Sequence, residues 1–167
     1  MMSNFETNNV LENPEVTNIN RLLPRAVLIP AQKEGVYYKN KEESEYLQSL
    51  NGEYDFLYCT QDSVPDFYVP SFDACDWNKI DVPSMWQFRG YGSVCYPNTN
   101  YPIPFNPPYI DCENPVGYYR KNLMQPKAKK QFCTSAGWTV RSLFILTARL
   151  WAFQKEAEMW QNLTLRN

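Results

Sequence analysis

Ser49-Leu50-Asn51-Gly52-Glu53-Tyr54-Asp55-Phe56-Leu57-Tyr58 is the run of residues on which the fold turns. From Tyr54 to Tyr58 aromatic or apolar residues alternate with polar or aromatic ones, the pattern of a half-buried strand. On its amino-terminal side, Asn40 followed by Glu43 has the spacing of a capping box. That spacing predicts a short helix, which Gly52 would close. On its carboxyl side, Ile80-Asp81-Val82 is a second short strand candidate, ended by Pro83. Tyr96 to Pro108 carries five prolines in thirteen residues, which excludes helix and central strand alike. This segment should run as a rigid, extended loop. Val116 to Leu123 is the third strand candidate.

Bulk composition narrows the class. At 167 residues there is room for one domain, and 44% apolar with 16% aromatic residues suits a globular core. A net charge of −2 and the lack of a basic stripe interleaved with aromatics argue against nucleic acid as a partner. Five scattered cysteines (Cys59, Cys75, Cys95, Cys112 and Cys133) show no CxxC pairing, and there is no histidine, so a metal site is not expected. Such a set reads as reduced thiols, and Met1 to Asn20 is polar and acidic without an apolar core of a signal peptide. The expected compartment is the cytosol. The longest apolar stretch, Leu143 to Phe153, is interrupted by Arg149 and too short to span a bilayer, so no membrane is expected.

Charge divides the chain in two. Residues 1–124 hold nine Lys/Arg against sixteen Asp/Glu, whereas residues 125–167 hold seven against two. Of the prolines only Pro126 falls in the second piece. Between Trp138 and Leu165 there is no proline or glycine, and Val140, Leu143, Phe144, Ala148, Trp151 and Ala152 lie near one helical face. Ile145, Leu146, Leu150 and Phe153 lie off it, so the amphipathicity is poor. This piece is expected to be helical or disordered.

Five runs resemble, in order, the start of the β-galactosidases of glycoside hydrolase family 2. Glu12-Asn13-Pro14-Glu15-Val16-Thr17 with Asn20-Arg21-Leu22 resembles the opening segment. Ser49 to Phe56 resembles a "SLNG-x-W-x-F" strand start, with Tyr54 for the usual Trp. Val82-Pro83-Ser84-Met85-Trp86-Gln87 with Gly90-Tyr91 resembles "VPSNWQ…GY". Tyr96-Pro97-Asn98-Thr99-Asn100-Tyr101-Pro102-Ile103 with Asn106-Pro107-Pro108 resembles the loop that reaches toward the active site. Glu113 to Arg120 resembles the start of the next strand.

The resemblance implies a mainly β fold, an incomplete jelly-roll β-sandwich of the galactose-binding type. It implies an extended arm over residues 1–40, a partial sugar-binding domain over 41–124 and a tail foreign to the family over 125–167. Enzymes of the family cleave terminal β-D-galactosides such as lactose by a retaining mechanism, with two glutamates on a TIM barrel. None of that barrel is found in this chain, so no catalytic residue is assigned. Asn98 matches the family asparagine that touches the galactosyl group; read alone, it is a turn residue after Pro97. The family uses magnesium and sodium and forms homo-oligomers. Here Val10 stands at the acidic position of the opening segment, so no metal ligand is carried over. Asp111 and Glu113 read as solvated loop charges, and most of the aromatics as core rather than sugar platforms.

The tail makes sense in a different reading frame. When degenerate codons for Ala152 to Gln161 are read one nucleotide earlier, they permit "GFSKGSRNVAEF", a family sequence. Trp151–Ala152 forces the glycine and Met159-Trp160-Gln161 the valine and alanine. The same shift over Phe132 to Ser142 permits "LHFGGVDSAF", with its aspartate forced by Trp138-Thr139. A frameshift near residues 122–131 is therefore expected, which would leave the Lys127 to Lys130 cluster and the Asn162-Leu163-Thr164 sequon without selected meaning. Three functions follow: an inactive piece of a β-galactosidase, a stand-alone carbohydrate-binding module, or a fragment that complements an enzyme lacking its amino terminus.

Overall fold

The computed structural model describes residues 13–22, 33–60, 71–94, 104–106, 112–123 and four later strands, with isolated positions between them. It is built of strands: β1 (Asn18–Ile19), β2 (Gly52–Cys59), β3 (Asn78–Val82), β4 (Val116–Arg120), β5 (Gln131–Ser135), β6 (Ser142–Leu146), β7 (Arg149–Gln154) and β8 (Gln161–Leu165). The three strands expected from the sequence are β2, β3 and β4. They form one antiparallel sheet in the order β3-β2-β4.

Register explains the core. Phe56 stands opposite Tyr119 on β4 and Asn78 on β3, and Tyr54 stands opposite Ile80. The period-2 alternation puts Tyr54, Phe56, Tyr58 and Tyr119 on one face. Phe56 is fully buried there, with ring centroids 4.8 Å from Tyr119 and 4.9 Å from Tyr91. The face is closed by the 3-10 turn Trp86–Arg89, whose Trp86 ring packs against Phe56 and Tyr58. Gly117 makes this approach possible, because a Cβ at that position would lie 2.4 Å from the Trp86 ring.

β2 is half-buried, as its alternation predicts, and the opposite face of the sheet carries a second aromatic cluster on β4. Tyr118 is buried against Phe67 and Trp77, and Phe72 packs on Trp77. Arg120 donates to the Phe72 carbonyl at 2.5 Å, fastening the connecting loop to β4. At the start of β2, Lys121 donates to the carbonyls of Leu50 (3.1 Å) and Asn51 (2.9 Å) and lies 4.7 Å over the Tyr54 ring.

Two expectations are corrected. The helix after Asn40 is a single 3-10 turn, Lys41–Glu43, with no side-chain cap. The Asn40 amide instead donates to the Glu43 side chain, and the turn ends at buried Ser44. Gly52, at φ 117°, opens β2 rather than closing a helix. The tail is not helical in its described residues: β6 and β7 form an antiparallel hairpin with an irregularity between Phe144 and Ile145. β1 pairs with β7, and β5 pairs with β8. Short apolar runs satisfy a buried strand as well as a helix. Ile145, Leu146, Leu150 and Phe153, which lie off the helical face, fall on β6 and β7.

Candidate functional site

The loop that the sequence singled out departs from a well-anchored stem. After Trp86–Arg89 the chain turns at Gly90 in a left-handed conformation, φ 88°, and Tyr91 packs back on Phe56 and Tyr58. Gly92, at φ 66°, lies so close to Tyr58 that a Cβ would come within 2.6 Å of its hydroxyl. Met85, Phe88 and Val94 on this stem are exposed. The loop returns through Phe105, which is exposed, and a turn in which the Tyr109 amide donates to the Asn106 carbonyl at 2.8 Å. Asn98 itself lies outside the described residues, as do the other motif residues from Tyr96 to Ile103.

Beside the stem, at the β3 edge, a shallow depression is lined by Glu53, Lys79, Ile80, Asp81, Arg89 and Tyr91. Its charges are matched. Lys79 bonds Asp55 at 2.5 Å and lies 3.7 Å from Glu53, while Arg89 donates to Asp81 at 2.9 Å. The hydrogen bond to Asp55, with the fields of Asp55 and Glu53, holds the Lys79 ammonium above its ordinary value of 10.5 against the desolvation that lowers it. Carboxylates tied to ammonium and guanidinium groups in an open depression lack the enclosure of a glycosidic acid catalyst.

Thiol and phenol groups tell a structural story. Burial raises Cys133, Tyr54 and Tyr119 above their ordinary values, the Cys133 thiolate adding to the effect on Tyr54. Among the described residues Cys59, Cys75, Cys112 and Cys133 are free thiols, and no three acidic, cysteine or histidine side chains group around a point where a metal could bind. No helix among the described residues is long and apolar enough to cross a membrane. The depression was not anticipated from sequence, because its charges are separated by 36 positions and meet only through the β2–β3 register.

These features define an antiparallel β-sheet domain with an aromatic cluster on each face of the sheet. Its sequence identifies the family: the chain belongs to the glycosyl hydrolases family 2, whose sugar binding domain matches residues 47–137. Similar proteins are β-galactosidases. The one from Actinobacillus pleuropneumoniae is 34% identical over 132 residues, which is 77% of this chain and 13% of that enzyme. Those from Psychromonas ingrahamii and Pectobacterium atrosepticum are 37% and 40% identical, over 72% and 65% of this chain and 12% and 10% of theirs. The chain therefore spans about an eighth or less of the length of the curated relatives it matches.

Proposed function

We propose that this chain is the amino-terminal sugar-binding region of a β-galactosidase, a partial jelly-roll that hydrolyses no galactoside by itself. One observation carries the reading. The similarity to β-galactosidases covers most of this chain but only 10–13% of those enzymes. A retaining glycosidase needs two carboxyl groups about 5 Å apart across the scissile bond. The acidic residues of the β3 edge are instead neutralised by Lys79 and Arg89.

In the whole enzyme the stem at Trp86–Tyr91 would hold the proline-rich loop toward the galactosyl subsite, with Asn98 as its contact. A frame change near residues 122–131 would account for the family motifs that the shifted codons of the tail permit. Val10 offers no side-chain donor at the acidic position of the opening segment, so this reading carries over neither the magnesium nor the sodium of the family. Homo-oligomerisation belongs to the longer enzyme. Free thiols at Cys59, Cys75, Cys112 and Cys133 support a reducing cytosol.

The test compares two proteins on a chromogenic β-galactoside: the 167-residue chain, and the gene product continued in the frame one nucleotide earlier from Gln131. Colour from the continued protein alone is expected. Colour from the 167-residue chain without any helper overturns the reading. Galactose titration of the shorter chain tests the module alternative, because a free-standing module must bind sugar without a barrel.

A further inference from the structure

β3 (Asn78–Val82) is an outer strand of the β3-β2-β4 sheet. β2 pairs along one side of it, and no strand among the described residues pairs along the other. Among the described residues, no backbone hydrogen bond outside the sheet engages Asn78 to Val82. The Ser84 hydroxyl donates to the Asp81 carbonyl, which keeps a second lone pair. The open depression lined by Lys79, Ile80, Asp81 and Arg89 lies at this edge. Unpaired strand edges are templates for a further strand, and proteins commonly blunt them with charge. Here the edge charges alternate in sign. Lys79 and Asp81 stand exposed on one face, and Ile80 between them is buried on the other.

We propose that the β3 edge is a self-docking surface, on which the β3 strands of two copies of this chain pair antiparallel about Ile80. A two-fold axis through Ile80 sets Lys79 of each copy opposite Asp81 of the other, and Asn78 opposite Val82. Directly opposed residues of an antiparallel pair have Cβ atoms about 4.5–5.5 Å apart, within reach of an ion pair. The neighbouring symmetric registers are repelled. Setting Asn78 opposite Ile80 brings Lys79 against Lys79, and setting Val82 opposite Ile80 brings Asp81 against Asp81. A slip of one residue would turn the Ile80 face of one copy toward solvent. Charge therefore selects one register, and a strand without the same alternation meets unmatched charge.

The pairs within each copy leave room for the new ones. Lys79 has three N–H donors, of which Asp55 takes one at 2.5 Å. Asp81 accepts from Arg89 at Oδ2, so its Oδ1 can face Lys79 of the second copy. Two three-stranded sheets then become one continuous sheet of six strands.

The experiment is sedimentation velocity of the 167-residue chain from about 10 μM to about 1 mM, where a small interface associates. Near-ultraviolet dichroism follows the fold of every sample. The parent should shift from monomer to dimer across this range. Lys79→Asp alone and Asp81→Lys alone set like charges opposite each other, and each should stay monomeric. An equimolar mixture of the two should form heterodimers, because the carboxylates of one copy then meet the ammonium groups of the other. The double variant Lys79→Asp/Asp81→Lys, which keeps the local charge sum, should dimerise like the parent. A misfolded single variant could not regain association on mixing, so that recovery separates pairing from a fault in folding. A parent chain that stays monomeric throughout, single variants that dimerise like the parent, or a mixture and a double variant that stay monomeric would each overturn the proposal.

Discussion

Replacing Phe56 by alanine should remove the sheet's central support. The side chain is fully buried, and it touches three rings, those of Tyr119 at 4.8 Å, Tyr91 at 4.9 Å and Trp86 at 6.4 Å between centroids. Truncating a buried phenylalanine to alanine costs about 3–5 kcal/mol, since the cavity left behind adds to the lost transfer energy. Ring pairs in tilted or edge geometry contribute about 0.5–1.5 kcal/mol each beyond burial, which places this site at the upper end of that range. Whole domains are stable by only about 5–15 kcal/mol. Among the described residues the buried apolar side chains are Phe56, Ile80 and Tyr118, so the loss at Phe56 falls on the centre of this sheet.

The measurement is urea denaturation followed by near-ultraviolet dichroism, in an osmolyte that keeps the parent chain folded. With a slope of about 2 kcal/mol per molar urea, a loss of about 4 kcal/mol moves the midpoint down by roughly 2 M. Phe56→Leu keeps most of the buried area and should lose about 1–2 kcal/mol. A Phe56→Ala midpoint within about 0.3 M of the parent would refute the claim that these stacked rings are the core.

Three further outcomes follow from the same contacts. Gly117→Ala drives a methyl group into the Trp86 ring, 2.4 Å away, and should cost about 1–3 kcal/mol in the same denaturation assay and shift the tryptophan emission. Arg89→Ala removes an exposed pair with Asp81 and should change stability by less than about 1 kcal/mol, since solvent screens both charges. Stability should also fall at alkaline pH. Burial raises Cys133 above 9.0 and Tyr54 and Tyr119 above 10.0, so the folded chain holds protons that the unfolded chain releases. The contribution is complete below about pH 9 and is lost above it; Cys133→Ala should delay the onset in a pH series of urea midpoints.

The sheet was legible because its strands obey local rules. Tyr54–Tyr58 alternates, Ile80-Asp81-Val82 is bounded by Pro83, and Val116–Arg120 follows a proline, so each strand announced itself. The faces were less legible. Nothing local to β4 reveals that Phe67 and Trp77 pack on Tyr118, because those residues come from the connecting segment that Arg120 fastens at Phe72. The capping-box spacing at Asn40 and Glu43 was real, but the two side chains bond each other and the turn goes no further than Glu43. The tail read as helical or disordered, with poor amphipathicity, whereas Ser142–Leu146 and Arg149–Gln154 pair as strands and β1 joins them. The candidate sugar contact, Asn98, was legible only through family resemblance. The stem that presents its loop could be recognised from Gly90, Tyr91 and Gly92, the two glycines adopting positive φ and the tyrosine packing on the core.

The nucleotide sequence from codon 120 onward tests the central claim most directly. Reading one nucleotide earlier past Lys130, it should spell Leu-His-Phe-Gly-Gly-Val-Asp-Ser-Ala-Phe and, further on, Gly-Phe-Ser-Lys-Gly-Ser-Arg-Asn-Val-Ala-Glu-Phe in one open frame. Codons in that frame that give other residues or a stop between those two motifs would contradict it.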